Sequence, residues 1–321
     1  MATSDHLLTL LKAHYEGDNE HLKTVALQIA AHEAKIGHPV LAQSIKDLVM
    51  KQSTVSTVSR IQPSDNSLMV RRASTNRKSD LIVSDKLNKQ IENIILEFAQ
   101  RSKLNKSGYF NRRKILLEGI PGTGKTLTAT IFANELKLPL FLVQTDRLIS
   151  KYMGETGTKL RQIFDSIAQE VGIYFFDEFD SIGSERASDN DVKEMHRVLS
   201  LFLQFIEQDT SDSIIITATN SGNLLDQALF RRFDDVLRFN LPTEEEIKKL
   251  FTLKLTKFTS KNLITSEIIA LAFGLCHADI AKACENAIKQ AILADKKQVS
   301  DVILIAMLEE RKAVYQSKEV R

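Results

Sequence analysis

The chain has no tryptophan, two cysteines and five prolines, and its 43 basic side chains nearly cancel its 41 acidic ones. Each shortage excludes something. A net charge of +2 supplies no general attraction to nucleic acid or to an anionic membrane, so neither is expected as a partner. No apolar run approaches the length of a membrane-crossing helix, and the opening Met1-Ala2-Thr3-Ser4-Asp5-His6 lacks a basic-then-apolar export signal; a cytoplasmic protein is the expectation. Cys276 and Cys284 lack metal-like spacing and read as small core residues of a reducing compartment. No internal repeat is visible. The rest is ordinary for a soluble globular chain: 321 residues, 43% hydrophobic and 26% charged, enough for two or three units with real cores.

One stretch organises the remainder. Gly119-Ile120-Pro121-Gly122-Thr123-Gly124-Lys125-Thr126 follows the apolar run Lys114-Ile115-Leu116-Leu117-Glu118 and leads into helix-forming Leu127-Thr128-Ala129. Strand, glycine-rich loop and helix in succession make a phosphate cradle. Glycines let successive backbone N–H groups curl toward a polyphosphate, and the helix N-terminus adds partial positive charge. Pro121, Gly122, Thr123, Gly124 and Leu127 belong to that cradle, Lys125 supplies a full charge to the outer phosphates, and the Thr126 hydroxyl can ligate Mg²⁺. A chance match at this spacing should occur in only about 1% of chains this long. The expected ligand is a nucleoside triphosphate with Mg²⁺.

Taken in order, residues 1–52 read as three short amphipathic helices, a small N-terminal bundle suited to docking a substrate or adaptor. Residues 53–80 are rich in Ser and Thr and poor in apolar side chains, and read as a linker. From 81 to 241, helical stretches alternate with the runs Lys114–Gly119, Leu140–Thr145, Gly172–Asp177, Ser213–Ala218 and Asp235–Phe239, the pattern of a parallel sheet covered on both faces. Residues 242–321 carry only helical patterns: Glu244–Phe258, Glu267–Gly274, Ala278–Ala294 and Ser300–Tyr315.

Gly172-Ile173-Tyr174-Phe175-Phe176-Asp177-Glu178 is a buried-strand pattern ending in two carboxylates. Emerging beside the phosphate loop, Asp177 can hold Mg²⁺ directly or through water, and Glu178 can orient or deprotonate the attacking water. With Ala218-Thr219-Asn220 and Phe230-Arg231-Arg232-Phe233-Asp234, these motifs resemble the AAA family of ATPases over about Leu81 to Tyr315. The resemblance implies an α/β fold: a P-loop NTPase core with a five-stranded parallel sheet, a C-terminal helical lid and, ahead of them, the small N-terminal helical bundle. It is closest to stand-alone bacterial AAA ATPases. By the same resemblance Asn220 is the polar sensor of the γ-phosphate, and Arg231 and Arg232 are the arginine fingers reaching a neighbouring subunit's ATP. Ala278, in the turn Gly274-Leu275-Cys276-His277-Ala278-Asp279-Ile280, is a backbone contact to the nucleotide. Cys276 and His277 depart from the family's Ser and Gly at that turn. The implied assembly is a homo-oligomeric ring, most often of six.

Ser150-Lys151-Tyr152-Met153-Gly154-Glu155-Thr156 resembles the loop that AAA translocases project into the pore, with Tyr152 and Met153 gripping an extended polypeptide. Residues 186–194 are a candidate second inner loop. The leading expectation is therefore an ATPase that remodels, unfolds or threads a protein partner. A second reading is an ATP-dependent assembly switch that gates a separate effector, by analogy a subtilisin-like protease in a bacterial defence or toxin-like module. A third, a replication loader, is opposed by the near-neutral charge.

Overall fold

Alternation along the apolar runs decides the architecture. In a strand, successive side chains leave on opposite faces, so an unbroken apolar run needs cover on both sides. The computed structural model describes residues 19–38, 41–46, 68–148, 155–179, 189–220, 230–258 and 263–316. The chain divides into two compact units, Met1–Asn66 and Ser67–Arg321. In the first, α1 (Asn19–Ile36) buries Val25, Ile29 and Ala30, and residues 41–46 are helical. The earlier of the three expected helices lies outside the described residues. Glu33, almost fully buried, meets His38 Nδ1 at 2.7 Å, and this contact holds its carboxyl below the usual range.

The second unit is built on six strands: β1 (Met69–Arg72), β2 (Lys114–Gly119), β3 (Leu140–Val143), β4 (Ile173–Phe176), β5 (Ile214–Thr219) and β6 (Asp235–Phe239). Their order is β1-β3-β4-β5-β2-β6. β1 runs antiparallel to β3 and every other pair is parallel. Five strands were expected, with a linker running to residue 80. The sixth, β1, arises inside that stretch, and Ser74 and Asn76 continue the attachment by bonding the backbone and hydroxyl of Thr130. Met-Val-Arg-Arg carries no apolar alternation and three of its four side chains are exposed, so nothing local announces a strand. Only its distant partner Leu140–Val143 creates one.

One face of the sheet presents Ile115, Leu117, Ile173, Phe175, Ile214 and Ile216 to α2 (Asp85–Ala99) and α4 (Lys125–Leu136). The opposite face presents Leu116, Tyr174, Phe176 and Ile215 to α6 (Glu155–Gln169) and α7 (Asp189–Gln208). Between β2 and α2 lies α3 (Arg101–Lys106), and after β3 comes the short α5 (Thr145–Leu148). Residues 189–194, expected to be part of an inner loop, form the first turns of α7; residues 186–188 lie outside the described set.

Arg112 ties α2 to the edge strand β6, donating to Glu97 at 2.6 Å and also bonding Asp235. The same guanidinium keeps the Glu97 carboxyl below its ordinary range. A separate all-helical core follows β6: α8 (Glu244–Leu255), α9 (Ser266–Ala272), α10 (His277–Leu293) and α11 (Asp301–Gln316), packed around Phe251, Ile280, Cys284, Leu304 and Leu308. α8 opens with a reciprocal capping box between Thr243 and Glu246, which fixes where the helical part begins.

Phe202 on α7 is fully buried, with its ring against Phe164, Phe176 and Phe179 at 6.0, 4.9 and 4.2 Å. Truncating such a plug removes its burial energy and leaves a cavity. Phe202→Ala should lower the unfolding free energy by about 3–5 kcal/mol in urea titrations; a loss below about 1 kcal/mol would mean that α7 does not seal this face.

Candidate active site

At the C-terminal end of β2, which lies between β5 and the edge strand β6, the chain turns sharply into α4. Gly119 sits so close to β6 that an added Cβ would lie 2.3 Å from the Phe239 carbonyl oxygen. Gly122 and Gly124 have φ of +79° and +110°, left-handed values that L side chains resist. Thr123, buried, locks the turn by donating its hydroxyl to the Ile120 carbonyl at 2.8 Å. The cradle is preformed, and α4 starts directly behind it.

Lys125 is only 7% exposed. A buried ammonium needs acceptors, and it donates to the Gly119 carbonyl at 2.5 Å, the Ile120 carbonyl at 3.1 Å and Asn220 Oδ1 at 2.8 Å. Asn220 follows the end of β5, beside β2 in the sheet, which explains how residues far apart in sequence converge. β4 lies on the other side of β5, and Asp177 leaves its end to accept the Thr126 hydroxyl on Oδ2 at 2.9 Å. Glu178 then takes a left-handed φ of +49°, unusual for a residue with a side chain, while its N–H donates to Asp177 Oδ1 at 3.0 Å. The strand direction is broken there and Glu178 is exposed at the cleft mouth.

These groups line a cleft of 350 Å³. Pro121, Gly122, Thr123, Gly124, Lys125, Thr126, Leu127, Asp177, Glu178, Asn220 and Ala278, all singled out from the sequence, lie along it together. The helical part closes one side: the Ala278 N–H donates to the Gly122 carbonyl at 2.9 Å. Six lining residues carried no sequence signal: Leu81, Ile82, Leu250 and Ala281, which give the cleft an apolar wall, and the charged Asp80 and Lys254. His277 lines the cleft too. Neither of its ring nitrogens has a hydrogen bond among the described residues, although the Ile82 backbone lies close enough to favour the charged ring. Burial outweighs that contact and the nearby Glu246, and pushes the imidazole pKa down, so the ring is neutral at physiological pH.

Arg231 and Arg232 do not join the cleft. Both are exposed in the turn before β6, and Arg232 pairs with Glu207. Their turn is held on one side by buried Phe233 and by the Asp234 carboxylate, which accepts the N–H groups of Arg113 and Lys114, each at 2.9 Å. Tyr152 and Met153 lie outside the described residues. The preformed phosphate-loop cradle and the acid pair beyond the end of β4 fit a magnesium-bound triphosphate, whose ion Thr126 and Asp177 would hold.

Gly122 has no spare space: an added Cβ would lie 2.5 Å from Cys276 Sγ and 3.1 Å from the Ala278 Cβ. Gly122→Ala should therefore weaken binding of a fluorescent ATP analogue by at least about tenfold while the circular-dichroism spectrum stays unchanged. Binding within about twofold of the parent would show that the cradle tolerates the shift.

Residues 115–241 match the model of the "ATPase family associated with various cellular activities (AAA)". Over 314 residues, 92% of this chain and 91% of the relative, the sequence is 34% identical to "Uncharacterized AAA family ATPase y4kL" of Sinorhizobium fredii. It is 30% identical to a "Putative 26S proteasome regulatory subunit homolog" of Methanothermobacter thermautotrophicus, covering 65% of this chain and 57% of the relative. It is also 30% identical to a "Proteasome-activating nucleotidase" of Sulfurisphaera tokodaii, covering 80% of this chain and 69% of the relative. Together with the cleft, these likenesses place the chain in the AAA family: it is an ATP-hydrolysing enzyme.

Proposed function

We propose that this ATPase assembles into a homo-oligomeric ring, six-membered by family resemblance, and spends MgATP on remodelling or threading a protein partner. The observation that carries the nucleotide chemistry is the convergence of Lys125, Thr126, Asp177, Glu178 and Asn220 at the ends of three adjacent strands. Lys125 and the loop N–H groups hold the outer phosphates, and Asn220 shares the ammonium and faces the same space. Thr126 and Asp177 would hold Mg²⁺, which would supply positive charge to offset that developing on the phosphate. Glu178, exposed at the mouth, orients the attacking water and accepts its proton. The apolar wall of Leu81, Ile82 and Leu250 accommodates the base, and His277 lines the same cleft.

Oligomerisation is supported by where Arg231 and Arg232 stand. The turn is anchored by Asp234, and both arginines are exposed and outside their own cleft, with Arg232 paired to Glu207 on the same surface; this placement supports a role toward another copy's phosphates. A protein partner is supported by the proteasome-related names of two relatives and by the aromatic-apolar pair Tyr152-Met153 in the sequence. The N-terminal unit is the proposed docking module, and no helix among the described residues is long and apolar enough to cross a membrane.

Mixing two dead variants tests the shared site. Glu178→Gln keeps its arginines but cannot hydrolyse its own ATP; the double variant Arg231→Ala, Arg232→Ala keeps its acids but offers its neighbour nothing. Each alone should lose at least about 100-fold in ATPase rate, and an equimolar mixture should regain a measurable fraction. A mixture as inactive as its components would rule out arginines working across a boundary. Separately, Tyr152→Ala should abolish unfolding of a captured protein while basal hydrolysis persists within about twofold; undiminished unfolding would remove the threading step.

A further inference from the structure

The first turn of α10 is wired unusually. At a helix N-terminus the residue before the first turn normally accepts an N–H on its side chain, and the side chain three residues on reaches back. Cys276 holds that first position and makes no such cap. Its thiol instead donates to Asp279 Oδ2 at 2.9 Å. The same carboxylate oxygen accepts the Tyr315 phenol at 2.6 Å, and Tyr315 belongs to the last turn of α11, 36 residues further along the chain. On the other side, Cys276 Sγ occupies the space where a Cβ on Gly122 would go, and the Ala278 N–H bonds the Gly122 carbonyl. A continuous set of contacts thus runs from the end of the last helix to the phosphate loop: Tyr315, Asp279, Cys276, Gly122.

We infer that Tyr315 is a positioning residue for the phosphate loop, so that nucleotide binding and the docking of the last turn of α11 are linked. The inference rests on Gly122 belonging to the ATP cradle. Its physical basis is the short hydrogen bond from the phenol to a carboxyl oxygen that also accepts the Cys276 thiol. The phenol pKa is pushed up to about 12, first by its bond to Asp279. Tyr315 itself is 51% exposed, and α11 is held in the helical core by Leu304 and Leu308. The bond is thus not needed to keep the helix folded. It fixes how Asp279 presents Cys276, and with it the turn bearing Ala278, to Gly122. Linkage is reciprocal: whatever ties down Tyr315 tightens nucleotide binding, and nucleotide in turn tightens the last turn.

Tyr315→Phe keeps the ring and removes only the hydroxyl. Titration with a fluorescent ATP analogue should show about fivefold weaker binding than the parent, while the melting temperature without nucleotide shifts little. Hydrogen exchange supplies a readout that packing alone would not move. In the parent, ATP should slow exchange of the amides at 311–316, and in Tyr315→Phe it should leave them unchanged. Adding Tyr315→Phe to Asp279→Ala should cost no further affinity, because the acceptor is already gone. Unaltered affinity with an unaltered exchange response in Tyr315→Phe, or full additivity of the two substitutions, overturns the linkage. Failure of the parent itself to bind the analogue would instead overturn the assignment of the cradle.

Discussion

A single backbone hydrogen bond, from the Ala278 N–H to the Gly122 carbonyl, joins the helical part of the molecule to the loop that handles phosphate. Its donor is one of the N–H groups that every helix start leaves without an intrahelical partner. Its acceptor belongs to a residue with φ of +79°, a conformation that turns the Gly122 carbonyl toward α10. The contact is possible only because Gly122 has no side chain, since Cys276 Sγ and the Ala278 methyl fill the place where one would stand. The loop and the first turn of α10 therefore share one geometry.

The sheet supplies the remaining precision. Parallel register sets the ends of β2, β4 and β5 side by side, and Lys125, Asp177, Glu178 and Asn220 line the cleft just beyond those ends. Packing on both faces, with Phe175 facing one helical layer and Phe176 the other, leaves the strand ends little freedom. Asp177 needs only to continue β4 to reach Thr126. Glu178 instead leaves the strand direction through a left-handed residue, a strained geometry that separates the carboxylate bonded to Thr126 from the one open to solvent.

Much of this was legible in the residues. β2 and β6 begin and end where the apolar runs do, and the other three parallel strands differ by one or two residues at their ends. Runs such as Ile-Tyr-Phe-Phe declare themselves because burial on both faces demands apolar side chains throughout. The cradle was legible because glycine spacing is dictated by backbone geometry. β1 was not, since Met-Val-Arg-Arg becomes a strand only by pairing with a distant partner. The apolar wall of the cleft was hidden for a related reason: Leu81, Ile82, Leu250 and Ala281 are ordinary residues of a linker end and two amphipathic helices, and tertiary packing alone brings them together. Tyr315 was read as the end of a helix; that its hydroxyl reaches Asp279 depends on how α10 and α11 cross, which no periodicity encodes.

The short strand β1 has a consequence for solubility. Without it, β3 would offer an open row of backbone donors and acceptors, a template on which a strand from another molecule could grow. β1 covers that row with four residues running the opposite way, and its own outer rim carries Arg71 and Arg72, both exposed. An incoming strand would have to strip water from two guanidinium groups to continue the ladder. On that side of the sheet, growth of a shared ladder between copies carries this desolvation cost.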